Sequence, residues 1–89
     1  MAVGVPYVSI NDTAGSEEAN ESVEVKEIKL MSNDGSNDIT FNFDNDTDED
    51  NTIVLKAGEQ LREWEIGVGT LYYKAGDGDT AFRFIGTKR

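Results

Sequence analysis

The chain contains no cysteine and no histidine. The first absence removes disulfide staples, thiolate metal sites and a cysteine nucleophile. The second removes the commonest general base and the commonest metal ligand. Proline occurs once, at Pro6. Basic residues are scarce: 8 Lys and Arg stand against 18 Asp and Glu, for a formal charge of −10. Phosphate binding needs a basic face, so this balance argues against nucleic acid and against an anionic membrane as partners. No apolar run approaches the ~20 residues of a membrane span, and no basic-then-apolar signal peptide is seen. No residue set calls for a cofactor.

What is present suits a small β domain. A chain of 89 residues has room for one thin core, burying roughly 60–65% of its unfolded surface. The β-branched residues Val, Ile and Thr are abundant, Leu is rare, and Gly, Asn and Asp supply turns. That combination predicts an all-β fold: a small antiparallel β-sandwich or jelly-roll-like domain of six to seven short strands. The acids are unevenly spread. Residues 1–52 carry 13 acids and 2 bases, while residues 53–89 are nearly balanced.

Met1 to Ile10 is apolar and extended in character, with Pro6 confining any strand to an edge or to partial pairing. Asn11 to Ser22 is polar, acidic and without periodicity, which predicts a loop or linker. The division that follows is an N-terminal arm and acidic linker over residues 1–22, then a β-sandwich over 23–89. An apolar arm ahead of a polar linker can reach a neighbour, with Val3, Val5, Tyr7 and Val8 as its partner contacts. An ordinary first strand of the same sandwich is the alternative.

Ser22 to Met31 reads as a strand with a phase change. Val23 and Val25 share one parity, Ile28 and Leu30 the other, which predicts a β-bulge near Lys26-Glu27. Asp38 to Phe43 alternates, with Ile39, Phe41 and Phe43 inward and Thr40 and Asn42 outward. Further strands are expected at Thr52–Leu55, Leu61–Ile66, Thr70–Ala75 and Thr80–Ile85. Trp64, Tyr73, Phe82 and Phe84 are the aromatic candidates for the core. Tyr72, of opposite parity to Tyr73, is an outward candidate for a partner surface.

Two acidic constellations merit chemical scrutiny. Asp44, Asp46 and Asp48 alternate as calcium ligands do, but the frame from Asp44 finds Glu49 and Leu55 where an EF-hand needs Gly and Glu. An irregular calcium site is the alternative to a solvated loop. Glu63 and Glu65 flank Trp64, yet residues two apart on a strand share one outward face and imply no cleft. No catalytic residue set emerges, and the expectation is a protein without enzymatic activity.

The C-terminal half carries a resemblance. Leu55-Lys56-Ala57-Gly58-Glu59 leads into the strand of Trp64; Leu71-Tyr72-Tyr73-Lys74-Ala75 and Thr80-Ala81-Phe82-Arg83-Phe84-Ile85-Gly86 follow. Over about residues 53–87 this order resembles the small β-sandwich structural proteins of tailed bacteriophage virions. The resemblance implies a capsid decoration or cement subunit located in the virion and assembled in the host cytoplasm. It would bind viral capsid or other virion proteins and form a homo-oligomer. A neck, tail or fibre-attachment component is the alternative within that class. A free carbohydrate-binding module using Trp64 and Tyr72 is the alternative from another.

Overall fold

The computed structural model describes residues 7–49 and 51–89. Seven strands make up the fold: β1 (Tyr7–Ala14), β2 (Ala19–Asn33), β3 (Ile39–Phe43), β4 (Ile53–Leu55), β5 (Gln60–Trp64), β6 (Val68–Lys74) and β7 (Thr80–Lys88). All pairings are antiparallel, and no helix occurs among the described residues. The domain is all-β, a small sandwich-like half-barrel made by one curled sheet.

β2 creates the curl. Its first part, Ala19–Val25, pairs with β6. From Val25 to Asn33 it pairs with β7, and over Ile28–Ser32 its other edge pairs with β5. One wing therefore runs β1-β7-β2-β5, and the other runs β2-β6-β3-β4. The bend between them is built from irregular backbone. The β2–β6 register shifts between Ser22 and Val25, where Glu24 takes a left-handed φ of 47°. The β2–β7 register shifts between Val25 and Glu27, which leaves Lys26 as the extra residue of a bulge.

That bulge is the one expected from the phase change in the sequence. A second shift, between Ile28 and Leu30, is not legible in the apolar pattern. It reverses parity again, so Met31 is buried and Leu30 is only half-buried. The expectation that Ile28 and Leu30 share the inner face is corrected on that ground.

The core lies between the wings. Phe82 and Phe84 on β7 and Ile28 and Met31 on β2 face Ile39 and Phe41 on β3 and Leu71 and Tyr73 on β6, all buried. Phe82 meets Phe41 edge-on with ring centroids 5.4 Å apart and lies 4.6 Å from the Tyr73 ring. Such pairs add roughly 0.5–1.5 kcal/mol each beyond their buried area. Trp64 does not join this cluster. Glu63 adopts a left-handed φ of 53°, which breaks the β5 alternation and leaves the indole 37% exposed, against the Phe43 ring at 5.5 Å.

Two buried asparagines replace apolar packing with hydrogen bonds. Asn33 closes the end of β2: its Nδ2 donates to the carbonyls of Leu55 at 2.9 Å and Asn37 at 2.6 Å, and its Oδ1 accepts from Gly35 N–H. Its own N–H and C=O bond to Glu59 and Gly58. Asn42, expected to face outward into solvent, is 7% exposed because it donates to the Asp46 carbonyl of a loop that folds back over it. Every buried side-chain nitrogen and oxygen among the described residues has a partner.

The expected loop over Asn11–Ser22 is corrected. Only Gly15–Glu18 form the turn; Asn11–Ala14 belong to β1 and Ala19–Ser22 to β2. Polar residues take the strand conformation here because β7 pairs with β1 from Tyr7 to Ala14, and β6 supplies the ladder for Ala19–Ser22. The boundary expected at residue 22 lies inside β2. Of the two expectations for the N-terminal segment, Tyr7–Ile10 follow the first-strand one. Val3 and Val5 lie outside the described residues.

The bulged stretch of β2 passes so close to β7 that only a glycine fits at position 86. A Cβ there would sit 2.6 Å from Val25 Cγ1 and 2.9 Å from the Glu27 carbonyl. At Gly76 a Cβ would meet nothing within 4 Å. Gly86→Ala is therefore expected to lower unfolding free energy by about 1–3 kcal/mol. Gly76→Ala should leave it nearly unchanged, both as read by urea denaturation.

Candidate functional site

The rim of the half-barrel, and not its interior, gathers the polar groups. β1 and the first part of β2 are joined by the Gly15–Glu18 turn but share no ladder. They belong to opposite wings and face each other across a seam. Asp12 pairs with Phe82 and Glu21 with Leu71, and both partners are core residues. Strand pairing puts paired side chains on one face, so both carboxylates point toward the inside of the curl.

The Tyr73 phenol closes the seam from β6. Its hydroxyl lies 3.1 Å from Glu21 Oε1 and 3.3 Å from Asp12 Oδ2. A phenol has one proton to donate, so it satisfies one carboxylate at a time. Hydrogen bonding to Asp12 holds the Glu21 carboxyl above its ordinary range, and burial adds to the effect. The matching bond from Glu21, with the Thr13 N–H, holds Asp12 below its own. Burial pushes the Tyr73 hydroxyl up strongly, and the neighbouring Glu21 adds to that. No lysine or arginine contributes to the ionisation of either acid. Asp12, Glu21 and Tyr73 thus form a hydrogen-bonded clasp between the wings.

The acidic loop after β3 is fastened by its own side chains. Asp44, in a left-handed φ of 60°, accepts from Gly69 N–H at 3.0 Å and Thr70 N–H at 2.7 Å. Glu18 accepts from both the N–H and the hydroxyl of Thr47, which lowers its pKa. The Asp46 carbonyl takes the Asn42 bond already described. Asp48 is exposed, and among the described residues no three acids form a group suited to a metal ion. Asp44 thus spends its carboxylate on the backbone of β6 and does not converge with Asp46 and Asp48.

The remaining expected site residues are dispersed. Tyr7 is 51% exposed at the start of β1, and Val8 is half-buried against the core. Tyr72 is half-buried on the outer face between Asn20 and Asn42. Glu63 pairs with Lys29 at 3.3 Å, while Glu65 lines a shallow open hollow of about 260 Å³ with Lys26 and Glu27. Trp64 and Tyr72 do not form one platform: the first leans on Phe43 inside the curl, the second lies on the outer face.

No protein-family model and no curated protein matches the chain. Its fold is similar to the crystal structure, at 2.05 Å resolution, of a cupin-2 domain containing protein from Shewanella frigidimarina NCIMB 400. The TM-score is 0.58 at 16% identity, over 98% of this chain and 76% of that one. The likeness shows a cupin-type fold. It overturns the expectation of a virion structural protein, whether decoration subunit or neck, tail or fibre component. The physical reason is plain: jelly rolls serve both viral capsids and cupins. The turn at Gly58 and the alternating strands that carried the phage resemblance are requirements of that shared architecture and not of a place in a virion.

The Asp12–Glu21–Tyr73 clasp escapes sequence reading because its two acids fall in the segment taken for a loop. One signal was available: they are equidistant from the centre of the Gly15–Glu18 turn, as cross-strand neighbours are. The clasp has a definite pH signature. The raised Glu21 contributes stability below the ordinary 4.5 that is lost as pH rises through its folded value. The lowered Asp12 contributes stability above 3.8 that is lost as pH falls through its folded value. Glu21→Gln keeps a donor for Asp12 without the charge. The variant is expected to be more stable than the parent at neutral pH, with the difference shrinking as pH falls through the raised Glu21 value toward 4.5 and constant below that. Urea unfolding across pH checks this, and a pH-independent difference would contradict it.

Proposed function

We propose that this chain is a non-catalytic protein-recognition domain that works through the open edges of its sheet. One observation carries the reading. Among the described residues the exposed large apolar side chains are Tyr7, Val54 and Trp64. Each sits on a different strand, β1, β4 or β5, and each of these strands pairs on one side only among the described residues. Single exposed apolar residues are ordinary on any surface. Their confinement to unpaired edges is not. β proteins blunt such edges with lysine, proline or inward charge, because an open ladder templates further pairing. β4 carries no charged residue at all; on β1 the outward face is Tyr7, Ser9, Asn11 and Thr13, and the one charge, Asp12, turns inward toward the far end of the strand.

The interior supports the same reading. Phe41, Phe82 and Phe84 fill the space between the wings, and the polar groups near them are satisfied. A substrate site needs a concave, largely pre-formed cavity with a few convergent polar groups. The rim offers hydrogen-bonding edges instead, the basis of recognition by strand addition.

Panning a random peptide library against the folded domain tests this. Enriched peptides should shift backbone amide signals of β1, β4 or β5 and leave the ring signals of Phe82 and Phe84 in place. Failure to enrich any edge-binding peptide contradicts the reading. So does saturable binding of a small molecule that moves the Phe82 and Phe84 signals.

A further inference from the structure

We infer that the open edge of β1 receives, antiparallel like every other pair of the sheet, an extended segment of another protein that carries a lysine or arginine at the end meeting Asp12 and alternating apolar residues after it. The inference rests on the protein-recognition reading and names the edge and the chemistry of the partner.

Length selects β1 among the edges. It offers eight residues, against three in β4. β5 has five, but its Glu63 backbone is left-handed and its Arg62 folds onto Gln60, so the edge is neither flat nor free of charge. β1 pairs with β7 along its whole length without a register shift, which leaves its other edge straight.

The inner face of β1 dictates what the incoming strand presents. Val8 and Ile10 are half-buried and pack on the core, so their outer flanks form an apolar margin. Two residues further, in the same row, stands Asp12, with Glu21 across the seam. Cross-strand neighbours on one face interact directly. An added strand would thus meet two apolar positions and then an acidic one. Two carboxylates converging on one phenol, with no lysine or arginine paired to either, make a negative site that an ammonium or guanidinium group can meet.

Charge also decides between a foreign segment and a second copy. Residues 1–25 hold five acids and no base, and the whole chain carries −10. Edge-to-edge pairing of two copies would bring like charges together, whereas a basic segment is attracted.

The test uses the full chain and two synthetic peptides. One is acetyl-Thr-Lys-Thr-Val-Thr-Val-Thr-amide; in the other, glutamate replaces the lysine. Calorimetry and amide hydrogen exchange are measured at low and high salt. The lysine peptide should bind, protect β1 amides, and weaken roughly tenfold as salt rises. The glutamate peptide should bind at least about tenfold more weakly than the lysine one. The double variant Ser9→Lys, Asn11→Lys alters exposed positions only, so it should fold normally and lose affinity for the lysine peptide.

Equal binding of both peptides overturns the inference. So does protection confined to β4 or β5, which would leave the protein-recognition reading standing. Self-association through β1 without peptide, seen by sedimentation equilibrium, makes the occupant a second copy and overturns the basic partner. Absence of any edge protection overturns both readings.

Discussion

Everything in this domain depends on one strand serving two wings. β2 is 15 residues long, far beyond an ordinary strand, and it cannot stay straight while pairing with β6 at one end and with β7 and β5 at the other. The irregular backbone from Ser22 to Lys26 resolves that conflict. It costs local strain at Glu24, whose left-handed conformation is held by an ion pair to Arg89 at 2.8 Å and by the Arg89 N–H on its carbonyl. In return the two wings face each other, and a single layer of aromatic and aliphatic side chains closes the core. The cramped approach of β7 at Gly86 follows from the same bend.

The curl also explains why the polar chemistry is at the rim. A half-barrel this small has no volume to spare once three phenylalanines lie between its wings. The wings must still be closed at their margins, where strands lack ladder partners. On one side the clasp of Asp12, Glu21 and Tyr73 does this; on the other, Trp64 lies edge-on against Phe43. Two acids held by one phenol and an exposed indole are weak closures compared with a hydrogen-bonded ladder. They leave edges that a partner can extend, and so the architecture and the proposed recognition role draw on the same geometry.

Much of the architecture is legible in the residues. β3, β6 and β7 are read from the alternation of Ile39 and Phe41, Leu71 and Tyr73, Phe82 and Phe84, all of which are buried. The bulge at Lys26 is read from a parity slip. The slip at Lys29 is hidden because Leu30 and Met31 are both apolar, so neither register looks wrong. Asn11–Ala14 and Ala19–Ser22 are hidden for the opposite reason. Their polar side chains carry no period, and it is distant backbone, β7 and β6, that makes them strands. Trp64 is misjudged because a left-handed glutamate cannot be seen in sequence. The candidate site suffers most, since a clasp of three residues from three strands depends on long-range register. The phage resemblance failed as a guide to function because its motifs specify turns and core positions, which unrelated jelly rolls share.

The central claim is that β2 joins both wings into one cooperative unit whose interior is structural. Native-state hydrogen exchange in low denaturant tests it at single-residue resolution. Amides of β2 on both sides of Lys26 should exchange only by global unfolding, with one common opening free energy. An independent, lower-energy opening of residues 19–25, while residues 27–33 stay protected, would show two separable wings and contradict the account.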